Sequence, residues 1–383
     1  MKNLCCRAKT DYMNAVVAVS MSPLGQSRGG GLLPCIMREL RAEGRLDKEL
    51  QSVDWDSWDE AFFAGELGDE LVEMAVKRVE DVLRSRSKAE LVRFTIENKL
   101  RLGAVRTTRD LLEDEHFESR GFFCDVDGRR HPGSPIRVSF AKARSPRPAP
   151  ALGEGQALVD EWTRGSRKES VHAADSERPD ERLGEAFAGL KVADFSWVVA
   201  GPTMGKALAD HGATVVRVES SRRPDLARRL PPFKDGVEGL NRGQWAAMYN
   251  TSKLSLAVDL SMPEGQELAR RLVRWADVVI ESFSPGTMER LGLGWDDLSQ
   301  GRSDLIMMST SLFGSGGPLS PFVGFGQQAA AMVGLHAITG WPDRPPCGPF
   351  GPYTDVIAPK FGVCALAAAI LERRSTGRGR HLE

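Results

Sequence analysis

Strands and helices alternate along residues 188–309, and this alternation constrains the fold more than any other feature of the chain. The predicted strands lie at 190–198, 214–219, 277–281 and 305–309, and the predicted helices at 204–211, 263–276 and 285–291. Such alternation predicts a parallel sheet with helices on both faces, in a large Rossmann-like domain of the α/β class. A ligand of such a sheet is expected at the carboxyl ends of its strands.

The predicted strand ends lack several well-known motifs and carry positive charge instead. No GxGxxG follows the first strand, no GxxxxGK[ST] occurs, and no GxSxG marks a strand-to-helix turn. Dinucleotide-binding dehydrogenases, P-loop ATPases and α/β-hydrolases are therefore disfavoured. Basic residues gather near these ends: Arg217, Arg222, Arg223, Arg228, Arg229 and Lys253. They favour a phosphate-bearing ligand, although a solvated charged surface explains them equally well.

One acidic residue, Asp355, stands between a Gly- and Pro-rich loop and a long apolar helix. The helix continues through Phe361 and Leu371 and is expected to end at the sequence TGRG, residues 376–379. A carboxylate near the positive end of a helix dipole is favoured in its ionised form. Such a residue can be a nucleophile or an N-terminal helix cap, and the local pattern alone favours the cap.

The first 163 residues have a different pattern, which predicts a smaller α+β segment. Helices are expected at 33–43, 66–83 and 88–100, the last with a capping box formed by Ser87 and Glu90. Two strands, at 122–126 and 136–140, follow. Residues 164–187 are polar, charged and without periodicity, which is typical of a linker.

The composition excludes several classes of protein. The formal net charge is −1, which gives no argument for a nucleic-acid partner. Six cysteines are scattered without a CxxC pair and the six histidines are isolated, so no metal site is expected and a reducing cytoplasm fits best. No apolar run approaches the ~20 residues of a membrane span, so no membrane association is expected.

A series of short motifs resembles the family III CoA-transferases, in the order and spacing of that family. The motifs are Ala200-Gly201-Pro202, Lys253 before an alternating strand, Pro263-Glu264-Gly265, Glu281-Ser282-Phe283-Ser284-Pro285-Gly286, Arg290-Leu291-Gly292 and Thr376-Gly377-Arg378-Gly379. The resemblance implies a Rossmann-like large domain, a smaller domain and chains that interlock as a dimer. It also implies acyl-CoA and a carboxylic acid as substrates, with coenzyme A as the carried group and no metal.

The resemblance also implies site residues. Asp355 matches the catalytic aspartate of the family. By motif match the coenzyme A contacts are Val198, Val199, Ala200, Arg222, Arg223, Lys253, Ser282, Phe283, Arg290 and Leu291. Ser282 stands where Asn is usual, which puts adenine or 3′-phosphate recognition in doubt. The racemase relatives use a His where this chain has Phe325, with no Asp after it, so transfer is favoured over racemisation. Gly29-Gly30-Gly31 is a candidate for the oxyanion-binding loop.

The order of the two matching parts is unusual, because the family's tail precedes its head. Residues 1–163 resemble the C-terminal half of the family, and residues 188–383 its N-terminal half. A tandem of two copies, of which this chain holds the end of one and the start of the next, explains this order most simply. A permuted single unit is the second explanation. The competing function is that of an incomplete half that binds coenzyme A or supports another copy.

Overall fold

The computed structural model describes residues 5–8, 15–19, 31–134, 136–139, 186–344, 346–349 and 351–383. Only the backbone is described at residues 5–8, 15–19 and 63. The expected linker at 164–187, apart from its last two residues, lies outside the described residues, as do Gly29 and Gly30.

The first part of the chain is mainly helical, as its pattern predicts. Its elements are β1 (Cys5–Ala8), β2 (Ala15–Val19), α1 (Leu32–Ala42), α2 (Lys48–Gln51), α3 (Trp58–Phe63), α4 (Asp69–Arg84), α5 (Lys88–Glu97), β3 (Leu102–Ala104), α6 (Thr108–Leu112), α7 (Glu115–Ser119), β4 (Phe123–Val126) and β5 (Arg129–Pro132). The helices bury a core that includes Ile36, Met37 and Leu83. The capping box of Ser87 and Glu90 is present at the start of α5.

The hairpin that follows differs from the prediction. The strand β4 lies at the expected position, and it pairs antiparallel with β5, a strand that the sequence did not predict. Asp127 and Gly128 both have positive φ, so the chain reverses at once and the next four residues form the partner strand. Of the described residues 136–139, Val138 forms a single bridge, to Leu382 near the end of the chain.

The second part of the chain forms the expected α/β unit. Its elements are β6 (Lys191–Asp194), α8 (Ala200–Asp210), β7 (Thr214–Glu219), α9 (Gln244–Asn250), β8 (Leu254–Ala257), α10 (Pro263–Trp275), β9 (Val278–Glu281), α11 (Thr287–Arg290), α12 (Trp295–Ser299), β10 (Ile306–Ser309), α13 (Gly326–Met332), α14 (Leu335–Ile338), α15 (Tyr353–Thr376) and β11 (His381–Leu382). Short 3₁₀ turns lie at Leu226–Arg228 and Lys234–Gly236.

The six strands of this unit form one parallel sheet in the order β11-β10-β9-β6-β7-β8. The prediction of a parallel sheet is thereby confirmed, and the outermost strand β11 was not expected. Gly377, with φ 69°, ends α15 in the left-handed conformation that glycine favours. A Cβ at Gly379 would lie 1.8 Å from the carbonyl oxygen of Leu305, so only glycine lets the chain pass this close to join the sheet.

The long helix α15 packs on the sheet and on α8. Leu366, Ala369 and Ile370 lie in the core cluster that covers β6, β9 and β10. By length and composition alone α15 could cross a membrane, with a mean hydropathy of 1.6 over a window that is 28% buried. The expectation that no apolar run approaches this length does not hold here. A helix that packs in the core of a domain passes the same test.

The two parts of the chain are in direct contact. The Arg106 N–H donates to the carbonyl of Ala331 at 3.1 Å, and Gln328 Nε2 donates to the carbonyl of Arg101 at 3.3 Å. His116, on α7, is buried and accepts a hydrogen bond from the Leu319 N–H at 3.2 Å. The first part of the chain therefore packs against α13 and against the loop between β10 and α13.

Candidate active site

Buried carboxylates end three neighbouring strands at the carboxyl edge of the sheet. Asp194, Glu219 and Glu281 are the last residues of β6, β7 and β9. Each accepts a backbone N–H from the loop that follows: Asp194 from Ser196 at 2.9 Å, Glu219 from Asp225 at 3.1 Å, and Glu281 from Phe283 at 2.8 Å. Burial raises the pKa of Glu281 to about 7. These bonds fix the loops in which coenzyme A contacts are predicted.

The loop between β6 and α8 holds the predicted contacts Val198, Val199 and Ala200. Val198 has a φ of 65°, which is rare for a β-branched residue, and Val199 is the buried residue that precedes α8. The neighbouring loop after β9 comes close, because the N–H of Trp197 donates to Ser282 Oγ at 2.7 Å. The rings of Trp197 and Phe283 lie edge to face with centroids 6.0 Å apart. The structure therefore brings the loops after β6 and β9 together.

The two predicted arginines after β7 are both exposed but face different groups. The guanidinium of Arg223 lies over the ring of Trp197, 5.8 Å from its centroid. Arg222 pairs with Asp259 at 3.1 Å, on the loop after β8. Arg217 and Arg228, two of the basic residues that the sequence offers for a phosphate, instead pair with Glu219, at 2.6 and 2.9 Å.

Lys253 is placed differently from the other predicted contacts. Its side chain is 1% exposed, and its ammonium group donates to Asp194 at 2.7 Å, to the carbonyl of Pro202 at 2.8 Å and to Asn250 at 3.0 Å. Burial lowers the pKa of Lys253, and the Asp194 carboxylate opposes that shift. All three of its protons are thus used within the protein, so its geometry supports a structural role under the site.

The remaining predicted contacts lie at α11, beyond the loop after β9. Arg290 is exposed, and its guanidinium donates to Thr287 Oγ1 at 2.8 Å. Leu291, like Phe283, packs against the core cluster that contains Val279 and Met288. Arg290 is therefore free to reach a ligand at the edge of the sheet, whereas Leu291 serves mainly as part of the wall.

Asp355 is the third residue of α15, because the helix begins at Tyr353 and not after Asp355 as the sequence predicts. Its side chain does not cap α15. Instead, Asp355 Oδ2 accepts the N–H of Gly326, the first residue of α13, at 3.0 Å. Burial raises the pKa of this carboxyl, and the Gly326 bond only partly offsets that effect. No ion pair to Asp355 exists among the described residues, so the carboxylate is not neutralised by a cation of that part of the chain.

Two features around Asp355 have no counterpart in the sequence-based prediction. The Gly326 N–H is a backbone donor, 29 residues away in sequence. A Cβ at position 326 would lie 3.0 Å from Asp355 Cγ, so the close approach of the two residues requires glycine there. This glycine is the one feature of the sequence that could have indicated the contact. Tyr249, at the end of α9, is near enough for the Asp355 charge to contribute to raising its pKa, after burial.

The helices connect Asp355 to the strand-end loops. α8, which begins at the loop of Val198–Ala200, packs against both α9 and α15. Gly362 of α15 lies against Met204 of α8, where a Cβ would be 2.3 Å from the sulfur. Among the described residues, no cluster of three or more His, Cys, Asp or Glu side chains is placed to bind a metal ion.

Together these features define an α/β protein with loop-lined strand ends and, at the start of α15, a half-buried carboxylate that has no ion pair among the described residues. The family model of CoA-transferase family III matches residues 50–156 and 187–383. The chain therefore belongs to CoA-transferase family III.

Individual relatives match only part of their own length. The chain is similar to the succinyl-CoA–D-citramalate CoA-transferase of Chloroflexus aurantiacus, with 37% identity over 206 residues that cover 53% of this chain and 49% of that protein. It is similar to a probable CoA-transferase of Mycobacterium tuberculosis, with 29% identity over 292 residues that cover 73% of this chain and 35% of that protein. The crystal structure of a CAIB/BAIF family protein from Brucella suis has a TM-score of 0.48 at 34% identity and covers 52% of each chain. The chain spans about half the length of the curated relatives that it matches first.

Proposed function

We propose that the chain carries the nucleophile and the coenzyme A site of a CoA-transferase that moves coenzyme A from an acyl-CoA to a carboxylic acid. The observation that carries this proposal is the Asp355 carboxylate, which lies half-buried at the start of α15 with a single hydrogen bond, from Gly326, among the described residues. Membership of the family and its curated CoA-transferase relatives support the reaction class.

The proposed reaction begins with attack by Asp355 on the thioester carbonyl carbon of the acyl-CoA. The carbon–sulfur bond breaks, coenzyme A leaves as a thiolate, and an acyl-aspartyl anhydride remains. The thiolate then attacks the aspartyl carbonyl and releases the donor acid, which leaves an aspartyl-CoA thioester. The acceptor carboxylate takes coenzyme A by the same two exchanges in reverse. Each nucleophile is an anion, so these steps need no proton transfer.

The surroundings of Asp355 suit a carboxylate nucleophile. A carboxylate paired with a cation is less nucleophilic, and no such pair involves Asp355 among the described residues. Burial removes water from Asp355, and the start of α15 favours its charged form. A thioester held at attack distance supplies the remaining advantage, worth up to ~7–11 kcal/mol in favourable cases. Since burial raises the pKa of Asp355, transfer should be lost at a higher pH than for an ordinary aspartate as the solution is acidified.

We propose that coenzyme A lies along the loops after β6, β7 and β9. The exposed guanidinium groups of Arg222, Arg223 and Arg290 are suited to phosphates, and Phe283 offers an aromatic edge. Val198, Val199 and Ala200 bring backbone groups to the same edge, while Ser282 supports that loop. The relative named for succinyl-CoA makes succinyl-CoA the first donor to assay.

The tandem arrangement is our proposal for the order of the two parts. The M. tuberculosis relative aligns over 73% of this chain, which is more than residues 187–383 alone can supply. It therefore shares residues before 187 in the same order, and its length is about twice that of this chain. A tandem protein fits both facts. We further propose that the enzyme works in the cytoplasm, as an interlocked dimer or paired with another transferase copy.

The half-length match favours a second candidate function, in which the chain binds coenzyme A but lacks part of the catalytic site. Assays of the wild type and of Asp355→Asn together distinguish the two, because only the first candidate predicts transfer by the wild type. We expect this variant to lose transfer from succinyl-CoA to a carboxylic acid while its affinity for coenzyme A, measured by calorimetry, stays near that of the wild type. The matched control is Asp69→Asn, since Asp69 also lies in the first turn of a helix but is exposed. Transfer that survives in Asp355→Asn contradicts the nucleophile assignment, and coenzyme A binding without any transfer by the wild type supports the second candidate.

A further inference from the structure

We propose that Asp225 is a positioning residue, which holds the backbone of Val198–Ala200 in the conformation that binds the ligand. The inference rests on the proposed function, because it takes this loop to be a coenzyme A contact. Asp225 does not follow a strand directly and matches none of the motifs by which the site was predicted.

Both carboxylate oxygens of Asp225 contact the same backbone group, the N–H of Val198. Asp225 is fully buried, and both of its carboxylate oxygens accept the N–H of Val198, at 3.2 Å from Oδ1 and 3.1 Å from Oδ2. Oδ1 also accepts the N–H of Ala227 at 2.9 Å, which ties the carboxylate to its own 3₁₀ turn. The two residues are 27 positions apart, so the contact joins the loop after β7 to the loop after β6.

The conformation of Val198 explains why the loop needs such a contact. Its φ of 65° lies in the left-handed region, where a β-branched side chain crowds the backbone. Left-handed residues of this kind persist only where their surroundings enforce the conformation. Two hydrogen bonds enforce the conformation of Val198. Its own N–H donates to Asp225, and the N–H of the preceding residue, Trp197, donates to Ser282.

The strained turn leaves the next two backbone donors available. Within the described part of the chain, the N–H groups of Val199 and Ala200 have no hydrogen-bond acceptor, since they stand at the start of α8. Relaxation of Val198 to an extended conformation would rotate both groups. The left-handed turn therefore sets the direction in which two N–H donors meet a ligand at the edge of the sheet.

An ionic network under the loop keeps Asp225 in place. Arg217 donates to Asp225 and, at 2.6 Å, to Glu219, while Arg228 donates to Glu219 at 2.9 Å. The N–H of Asp225 itself donates to Glu219 at 3.1 Å. The buried carboxylate is thus compensated by charge and held at several points, so it is a rigid support for the Val198 N–H.

The test measures binding of coenzyme A by calorimetry to the wild-type chain, Asp225→Asn and the double variant Val198→Gly/Asp225→Asn. In Asp225→Asn an amide NH₂ replaces one of the two oxygens that accept the Val198 N–H, and it also faces another donor there, the Ala227 N–H or Arg217. We therefore expect the Kd for coenzyme A to rise about tenfold. Glycine adopts a φ of 65° without support from a carboxylate. The double variant should therefore bind coenzyme A within about threefold of the wild type.

Recovery of coenzyme A affinity in the double variant distinguishes a positioning role of Asp225 from a merely structural one, since glycine at position 198 restores only the conformation of the loop. Asp47→Asn is the matched control, because Asp47 also pairs with an arginine, Arg78, at 2.6 Å, but in the helical first part of the chain. The affinity of this variant for coenzyme A should be unchanged. If Asp225→Asn fails to fold, Asp225→Glu replaces it in the single and in the double variant, because glutamate keeps the negative charge beside Arg217. Unchanged affinity in the single variant, or no recovery in the double variant, overturns the positioning role. Failure of the wild type to bind coenzyme A would instead refute the proposed function.

Discussion

Substitution of Gly326 by alanine tests whether the close approach of α13 to Asp355 matters for activity. The new Cβ would lie 2.9 Å from the carbonyl carbon of Pro352 and 3.0 Å from both Cγ and Oδ2 of Asp355. Ordinary contacts of a Cβ begin near 3.4 Å. The carboxylate or the backbone of the loop must therefore move by about 0.4 Å, and the Gly326 N–H bond to Asp355 is strained at the same time.

The substitution is expected to lower activity while the protein stays folded. A misplacement of 1 Å can cost a factor of about 100 in rate, so a shift of about 0.4 Å should lower kcat/KM roughly five- to tenfold. Overpacking costs about 1–3 kcal/mol, and the better helix propensity of alanine offsets about 1 kcal/mol of that. The free energy of unfolding should thus fall by at most about 2 kcal/mol.

The assay is transfer of coenzyme A from succinyl-CoA to an acceptor acid, followed by chromatography, with urea unfolding of the same samples. Gly68→Ala is the matched control. Gly68 also stands at the start of a helix, has an ordinary φ of −74°, and has open space around the added Cβ. Full activity in Gly326→Ala, or an equal loss in Gly68→Ala, would refute the argument from the geometry of Asp355.

Two further predictions concern buried charge. Burial raises the pKa of Asp355 above its unfolded value, so the folded state binds this proton more tightly, and its stability falls as the pH rises through the raised pKa. Asp355→Asn should therefore raise the melting temperature at pH 7, by an amount that shrinks toward pH 4; a lower melting temperature at pH 7 would contradict this. Lys253→Met should lower the free energy of unfolding by about 3–5 kcal/mol, because Asp194 is left buried without its cation. A change below about 1 kcal/mol in urea unfolding would show that the pair is not buried as described.

The sheet and the nucleophile candidate could be predicted from the sequence for different reasons. The strand β7 has the predicted bounds, because a run of valines between a glycine and a polar loop leaves little choice of position. The parallel order follows from the alternation of strands with helices. Asp355 came from the resemblance, since the local pattern favoured a helix cap. The structure shows that its side chain meets the start of a different helix, α13.

What the sequence does not show is which charges and backbone groups meet. Arg217 and Lys253 stand among the basic residues of the strand ends, and only the fold reveals that buried carboxylates already use them. The Gly326 and Val198 N–H groups are donors that every non-proline residue has, so no residue type identifies them. The strand β5 was missed because its residues are polar and exposed, and the turn at Asp127 pairs β4 with them. Of the strand predicted at 136–140, the described residues 136–139 pair with the end of the chain, through the bridge between Val138 and Leu382.

The central claim is that the side chain of Asp355 becomes acylated, and chemical trapping tests it most directly. The full chain would be incubated with succinyl-CoA and hydroxylamine, digested, and analysed by peptide mass spectrometry. An aspartyl anhydride or aspartyl-CoA thioester reacts with hydroxylamine to give a stable hydroxamate. We predict a hydroxamate on Asp355 in the wild type and none in Asp355→Asn. A hydroxamate on another carboxylate, or transfer of coenzyme A to an acceptor acid by a protein whose Asp355 is never modified, would contradict the claim.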